Sequence, residues 1–284
     1  MAVTPKQIDR WSDNVAGLYN SLEGEIIRII ARQLSRGHKD ITYWRALRLQ
    51  ELMPFNRDVA KELSRVTEVA EPEIRRMFQN AGQNSVKDID KAVPFPSKPM
   101  PNNLDTVVRG YCNQAWKGID NLVNQTLVTT HYGIGTAQRA YTGVLNRTTA
   151  TFNTGLYTFE QSLERSIMEL AQKGISSGLV DSAGHTWGLE GYVRNVLKST
   201  LGNTYDMVRK ERMSEYGIHT VVVTSHPGAR PACSKIQGNV VDLRQTWELP
   251  EDSEYKSIYD PYWQAEYGTP GGHRGANCRH LHVP

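Results

Sequence analysis

The chain has 284 residues, 39% of them hydrophobic and 22% charged, which is enough for one large or two moderate domains with real cores. The formal net charge is only +3 and the charges are evenly spread, residues 216–284 carrying 6 Lys/Arg against 7 Asp/Glu, so no basic stripe announces a nucleic-acid groove. The 3 cysteines, at positions 112, 233 and 278, fit a protein made in a reducing cytoplasm better than a disulfide scaffold, and neither a signal peptide nor a membrane span is expected.

Thr4-Pro5-Lys6-Gln7 predicts the first helix start: a capping Thr, Pro at the first helical position and Gln closing a capping box. Ile8, Trp11, Val15, Leu18 and Leu22 recur at spacings of three and four; the seam drifts by one at Ile26, continues through Ile29, Ile30 and Leu34, and stops at Gly37. The stripe predicts a helix packed on its own domain, with a partner-binding helix as the alternative. Asp40 caps a second helix from Ile41 to Met53, closed by Pro54; a third covers Asp58 to Val66, and Glu71-Pro72-Glu73 opens a fourth, to about Ala81. These make an N-terminal helical region over residues 1–83. Residues 84–103, with Pro94, Pro96, Pro99 and Pro101, read as an extended linker or as a Pro-rich strip lying over a neighbour.

Central helices are predicted over residues 104–176. Asn103 caps a long one to about Thr130, with Leu104, Val108, Tyr111, Ala115, Ile119 and Leu122 inward and Cys112 beside them as a small core residue. Another spans Thr136 to Thr149, and Thr158-Phe159-Glu160-Gln161 is a capping box for a third, stopped by Gly174. Gly178–Trp187 reads as a hairpin around a turn rich in Asp, Ser and Gly, followed by a helix from Leu189 to Tyr216 and strands over His219–Thr224 and Val240–Leu243. The expected fold class is mainly α: multi-helix N-terminal and central regions with a small C-terminal α+β module over residues 177–284.

The chemistry-bearing residues gather in that module. His226-x6-Cys233 and Cys278-x-His280 supply four N/S ligands, the count and type of a tetrahedral structural zinc site, with His273 and His282 as alternative ligands. A small module has little core of its own, so a metal clip would add much folding energy. The spacing is not that of a Cys-x2-Cys knuckle. The competing reading has His226 opening a Pro-Gly turn and Cys278 as a small buried residue. No catalytic constellation is evident: Ser225 and His226 are sequence neighbours that a strand points to opposite faces, and Gly271-Gly272-x-x-Gly275 lacks the Lys-Ser/Thr of a phosphate loop. Arg230 and Arg279 are placed to satisfy carbonyls or carboxylates within the module. Tyr255, Tyr259, Tyr262, Trp263 and Tyr267 form an aromatic belt suited to core or interface.

Several of these pieces together resemble one family. Ser225-His226-Pro227-Gly228-Ala229-Arg230-Pro231, Gln237-Gly238-x-Val240, Gly268-Thr269, Gly275-Ala276-Asn277-Cys278-Arg279-His280, and Asp181–Trp187 with Gly191-Tyr192-Val193-Arg194 are similar to the phage minor capsid protein 2 family. The resemblance rests on motifs over roughly residues 180–280 and on helical character alone further upstream. It implies a structural minor head protein of a tailed phage, located in the virion and assembled in the host cytoplasm. It further implies few copies, at the portal vertex or head interior during assembly and DNA packaging or ejection, with the portal protein and other head proteins as partners and no established catalytic residues. The family often carries His where Cys233 stands, an exchange a metal site tolerates, which strengthens structural zinc on His226, Cys233, Cys278 and His280. Two alternatives stay open. A metal-dependent nuclease or toxin-like effector needs a carboxylate such as Asp242 or Glu266 beside the cluster in an open cleft, and a DNA-binding packaging factor needs the scattered Lys/Arg gathered on one face.

Overall fold

Local capping chemistry sets most of the helix ends in the computed structural model, which describes residues 4–37, 40–130, 133–180, 184–276 and 278–284. Helix α1 (Pro5–Leu34) starts with the Gln7 N–H donating to Thr4 Oγ1 at 3.2 Å, and α2 (Ile41–Gln50) with the Tyr43 N–H donating to Asp40 Oδ1 at 2.7 Å. Ile8, Val15, Leu22, Ile26, Ile29, Ile30 and Leu34 are buried, whereas Leu18 is half-buried and its neighbour Tyr19 is fully buried. The α1 stripe therefore packs within this chain.

Helix α3 runs unbroken over Leu52–Ala92, where the prolines had predicted ends. Pro54 lies in its first turn, where its missing N–H would have no partner anyway. Pro72 lies inside the helix, where it has no N–H to offer the carbonyl of exposed Glu68 one turn before it. Buried Ala70, Ile74, Met77 and Phe78 hold the helix on either side of the proline.

Helix α4 (Leu104–Ile119) continues through one wide π-turn, Asp120–Asn124, into α5 (Gln125–Val128). The extra residue rotates the inward face by one position, so Val123 and Leu127 are buried and Leu122 only half so. It also aims Asn124 inward, where its Oδ1 accepts from the Tyr19 hydroxyl at 3.1 Å. Helices α6 (Thr136–Asn153) and α7 (Phe159–Lys173) follow, α7 with the full Thr158/Gln161 capping box and Gly174 at φ 73 as its stop.

Strands β1 (Thr129–Thr130) and β2 (Gly133–Ile134) form a minimal hairpin, and β3 (Ser176–Val180) and β4 (Thr186–Gly188) the hairpin expected near residue 184; its Asp181-Ser182-Ala183 turn lies outside the described residues. Helix α8 spans Leu189–Glu215, with Gly217 at φ 71 ending the run. Beyond it, β5 (Thr220–Val223) is the centre of a three-stranded antiparallel sheet, flanked by β6 (Val240–Asp242) and β7 (His282–Val283). The two-residue β7 has no periodic signal of its own; it exists because β5 offers it an edge, pairing Val222 with Val283 and Val223 with His282. Among the described residues no helix is long and apolar enough to cross a membrane.

The chain forms two compact units: Asp13–Glu73 with Trp116–Arg194, and Met1–Ser12 with Ile74–Ala115 and Asn195–Pro284. The first is helical. Trp44 meets Phe159 edge-on at 5.0 Å, Phe55 packs on Tyr141 at 4.7 Å, and buried Arg48 donates to the Gln33 carbonyl and to Glu51. The second holds the sheet, whose core is not local to the C-terminus. Val221, Val223, Val241, Ile236, Ile258 and Trp263 pack with Ile89 and Val93 from the α3 end and Met213 from α8.

The Pro-rich stretch after α3 lies over this second unit as a pinned strip. Arg212, with no exposed surface, uses all five of its N–H groups: two on Asp90 at 2.6 and 2.8 Å, one on Glu215 at 2.6 Å, and two on the Lys98 and Pro99 carbonyls at 2.6 and 2.9 Å. The Tyr216 hydroxyl donates to Asp90 at 2.9 Å and accepts from the Lys98 N–H at 3.0 Å, while Phe95 stacks on its ring.

Candidate metal centre

Three short stretches of the second unit carry the Cys/His residues, each held by its own backbone. Cys233 lies in a single helical turn, Pro231–Ser234, that leaves β5 through the Gly228 turn (φ 72) and returns at Gly238 (φ 78), where the Gly238 N–H donates to the Val223 carbonyl at 2.7 Å. Arg230 fastens this turn to the glycine-rich loop by donating to the Pro270 carbonyl at 3.0 Å and to the Ala276 carbonyl. Arg279, in contrast, is exposed and only 3.9 Å from Asp9 at its nearest.

His273 is set by a tight loop. Its N–H donates to the Ala265 carbonyl at 2.7 Å and its carbonyl accepts from Gly268 at 2.8 Å. A Cβ on Gly272 would stand 1.9 Å from the Glu266 carbonyl oxygen, and one on Gly275 2.1 Å from that of Thr269, so only glycine lets the loop close there. The glycines first weighed as a phosphate loop are thus the close-packing points that place a histidine. His280 precedes β7, and the exchange of Thr224 N–H to Leu281 O and Leu281 N–H to Thr224 Oγ1, at 2.9 and 2.8 Å, fixes its height beside β5.

The ligand atoms of Cys233, His273, Cys278 and His280 all lie within 4.8 Å of one another. Cys233 Sγ is 3.6 Å from His273 Nδ1 and Cys278 Sγ 3.5 Å from His280 Nδ1. Tetrahedral zinc with its usual bond lengths separates neighbouring ligands by about 3.5 Å, so both pairs already stand at the spacing the ion requires. Cys233, His273 and His280 are buried and Cys278 is half-buried.

Sequence reading placed His226 fourth in this set; the geometry places His273 there. His226 packs against the His280 ring at a 38° tilt with centroids 4.2 Å apart, and its Nδ1 faces the carbonyl of Pro227 at 3.0 Å, the Pro-Gly turn role weighed against ligation. His280, Cys233 and Cys278 stand together in the cluster. The neighbouring partners Gln237, His282 and Asp206 carry the rest of the cluster; Gln237 lay within a motif singled out in the sequence and His282 was an alternative ligand, whereas Asp206 carried no such signal.

Electrostatics suit neutral imidazoles and a metal-dependent thiolate. Burial, reinforced by the neighbouring histidines and Arg274, pushes His273 down to about 2, and burial with His226 beside it pushes His280 down to about 4. Burial and the adjacent Cys278 push the Cys233 thiol up to about 11, so without a cation it is a protonated, poor nucleophile. Burial alone would raise the Asp206 carboxyl, but Arg274 and His282 outweigh it and hold the group well below the usual range.

The cluster opens on a cleft lined by His226, Pro227, Gly228, Arg230, Cys233, Cys278, Arg279 and His280, with no carboxylate among the described lining residues. Asp242, one of the carboxylates an enzyme would require there, is buried and gripped by Arg244 through two side-chain hydrogen bonds of 3.0 and 2.7 Å. The arrangement offers a four-donor clip.

Compared with known proteins, residues 3–284 match the family described as phage minor capsid protein 2. A protein of Lactococcus phage LL-H described as a structural protein is 32% identical over 250 residues, which is 87% of this chain and 66% of that relative's length. No solved structure matches.

Proposed function

Because the chain belongs to the phage minor capsid protein 2 family, and so is a structural component of a phage virion, we propose that it works as a minor head protein at the portal vertex or head interior. In this reading it is present in few copies, contacts the portal protein and other head proteins through its helices, and serves during assembly and DNA packaging or ejection. Its C-terminal sheet and loops are closed by one structural zinc ion on Cys233, His273, Cys278 and His280. The observation that carries the zinc reading is the convergence of two thiols and two imidazoles within 4.8 Å, from stretches 40 and more residues apart. Residue types support it: soft thiolates with imidazole select zinc over calcium or magnesium, and a four-donor set leaves no open position for chemistry.

The head-protein reading is tested on purified particles. The chain should co-purify with heads in far fewer copies than the major capsid protein, and lysine cross-linking should join the portal protein to exposed Lys61, Lys117 or Lys173 of the helical unit. Absence from particles, or portal cross-links confined to Lys235 and Lys256 of the sheet-bearing unit, would overturn it.

A further inference from the structure

Each of the two ligand histidines presents Nδ1 to a cysteine and turns Nε2 toward a neighbouring side chain. His280 Nε2 lies 3.2 Å from Gln237 Oε1, whose own residue is anchored one turn along from Cys233 by the Gln237 N–H donating to the Cys233 carbonyl at 3.0 Å. His273 Nε2 lies 3.0 Å from His282 Nε2, and His282 Nδ1 lies 2.6 Å from Asp206 Oδ1 on α8. The last approach is off the ideal N–H axis, yet it is too short for two facing lone pairs, so a proton stands between ring and carboxylate. Asp206 already faces Arg274 Nε at 3.5 Å and Lys210 Nζ at 4.0 Å and accepts from the Tyr267 hydroxyl at 3.0 Å. A metal held by the His273 Nδ1 that faces Cys233 Sγ at 3.6 Å leaves that ring's proton on Nε2, so His282 accepts there and keeps its own proton on Nδ1, toward Asp206. Its Nε2 is then a lone pair, and the proton in the 3.0 Å contact belongs to His273 Nε2.

We propose that Gln237 on one arm, and His282 with Asp206 on the other, are positioning residues that hold His280 and His273 in the tautomer protonated at Nε2, leaving both Nδ1 atoms for the metal. This rests on the zinc reading and extends it. Metal-bound histidines commonly donate their second N–H to a carbonyl or carboxylate, and losing such a partner costs about 10- to 100-fold in metal affinity. The longer arm carries the same logic through a second imidazole to a helix carboxylate. It makes metal affinity depend on α8, a helix that supplies no ligand.

The test uses the full chain labelled with 15N at histidine and loaded with zinc. Long-range nitrogen–proton spectra should show His273 and His280 coordinated through Nδ1 with Nε2 protonated, and His282 neutral with its proton on Nδ1. In chelator competition, Gln237→Leu should weaken zinc binding about 10- to 100-fold while Gln237→Glu, which keeps an acceptor, retains it. Coordination through Nε2 of either ligand histidine, a proton on His282 Nε2, or equal affinities for the Leu and Glu variants would overturn the proposal and leave the zinc site standing. Failure of the wild-type chain to bind zinc at all would overturn both.

Discussion

Replacing Cys233 or Cys278 with serine should abolish zinc binding and let the sheet of β5, β6 and β7 melt well below the helical unit. Serine is nearly isosteric with cysteine, but its hydroxyl does not ionise near neutral pH and makes a poor zinc ligand. Structural zinc is worth roughly 10–16 kcal/mol in small finger domains, so loss of one ligand removes several kcal/mol. The melt is partial in its reach because the sheet also leans on Ile89, Val93 and Met213, which need no metal. Hydrogen exchange of Val221 and Val241 amides, with and without chelator, reads the effect directly. Cys112→Ser is the control. That residue is also buried, with 4% exposure, but lies outside the cluster, and the variant should lose only the modest cost of placing a hydroxyl in a core.

Arg212→Ala should cost about 3–5 kcal/mol, because it removes a fully buried guanidinium and leaves the partly buried Asp90 carboxylate and two strip carbonyls without their donors. Arg212→Lys should recover little of this, since one ammonium cannot reach five acceptors spread over Asp90, Glu215 and the Lys98–Pro99 carbonyls. The pair also sets a sign for acid. Burial raises the Asp90 carboxyl, but hydrogen bonds from Arg212 and Tyr216 outweigh it and lower its folded-state value below the ordinary range. Its contribution is therefore complete above the unfolded value of about 4 and is lost as pH falls through the lower folded value. Thermal melts from pH 7 to pH 3 should show the wild type losing more stability than Arg212→Ala; parallel curves would contradict this.

Much of the fold was legible because its signals are local. Thr4, Asp40 and Thr158 cap helices where their side chains predicted, Gly174 and Gly217 stop them, and β-branched runs mark β5 and β6. What escaped was decided by tertiary context. Pro72 is carried inside α3, with buried Ala70 and Ile74 on either side of it, and the π-turn at Asp120–Asn124 shifts burial from Leu122 to Val123. The site divides the same way. Cys233, Cys278 and His280 were legible as candidate ligands, whereas bringing His273 rather than His226 into the cluster required the path of a loop closed by Gly272 and Gly275. Asp206 was the least visible. It lies on α8 with Arg209 and Arg212, outside the motifs singled out in the sequence, and all three, spaced by three residues, are buried.

The zinc content of the freshly purified chain decides whether Cys233, His273, Cys278 and His280 hold a structural ion. Elemental analysis should give one zinc per chain, and chelator should lower the melting of the sheet-bearing unit while sparing the helical one. A chain free of zinc, with the same melting curve in chelator, would contradict the account.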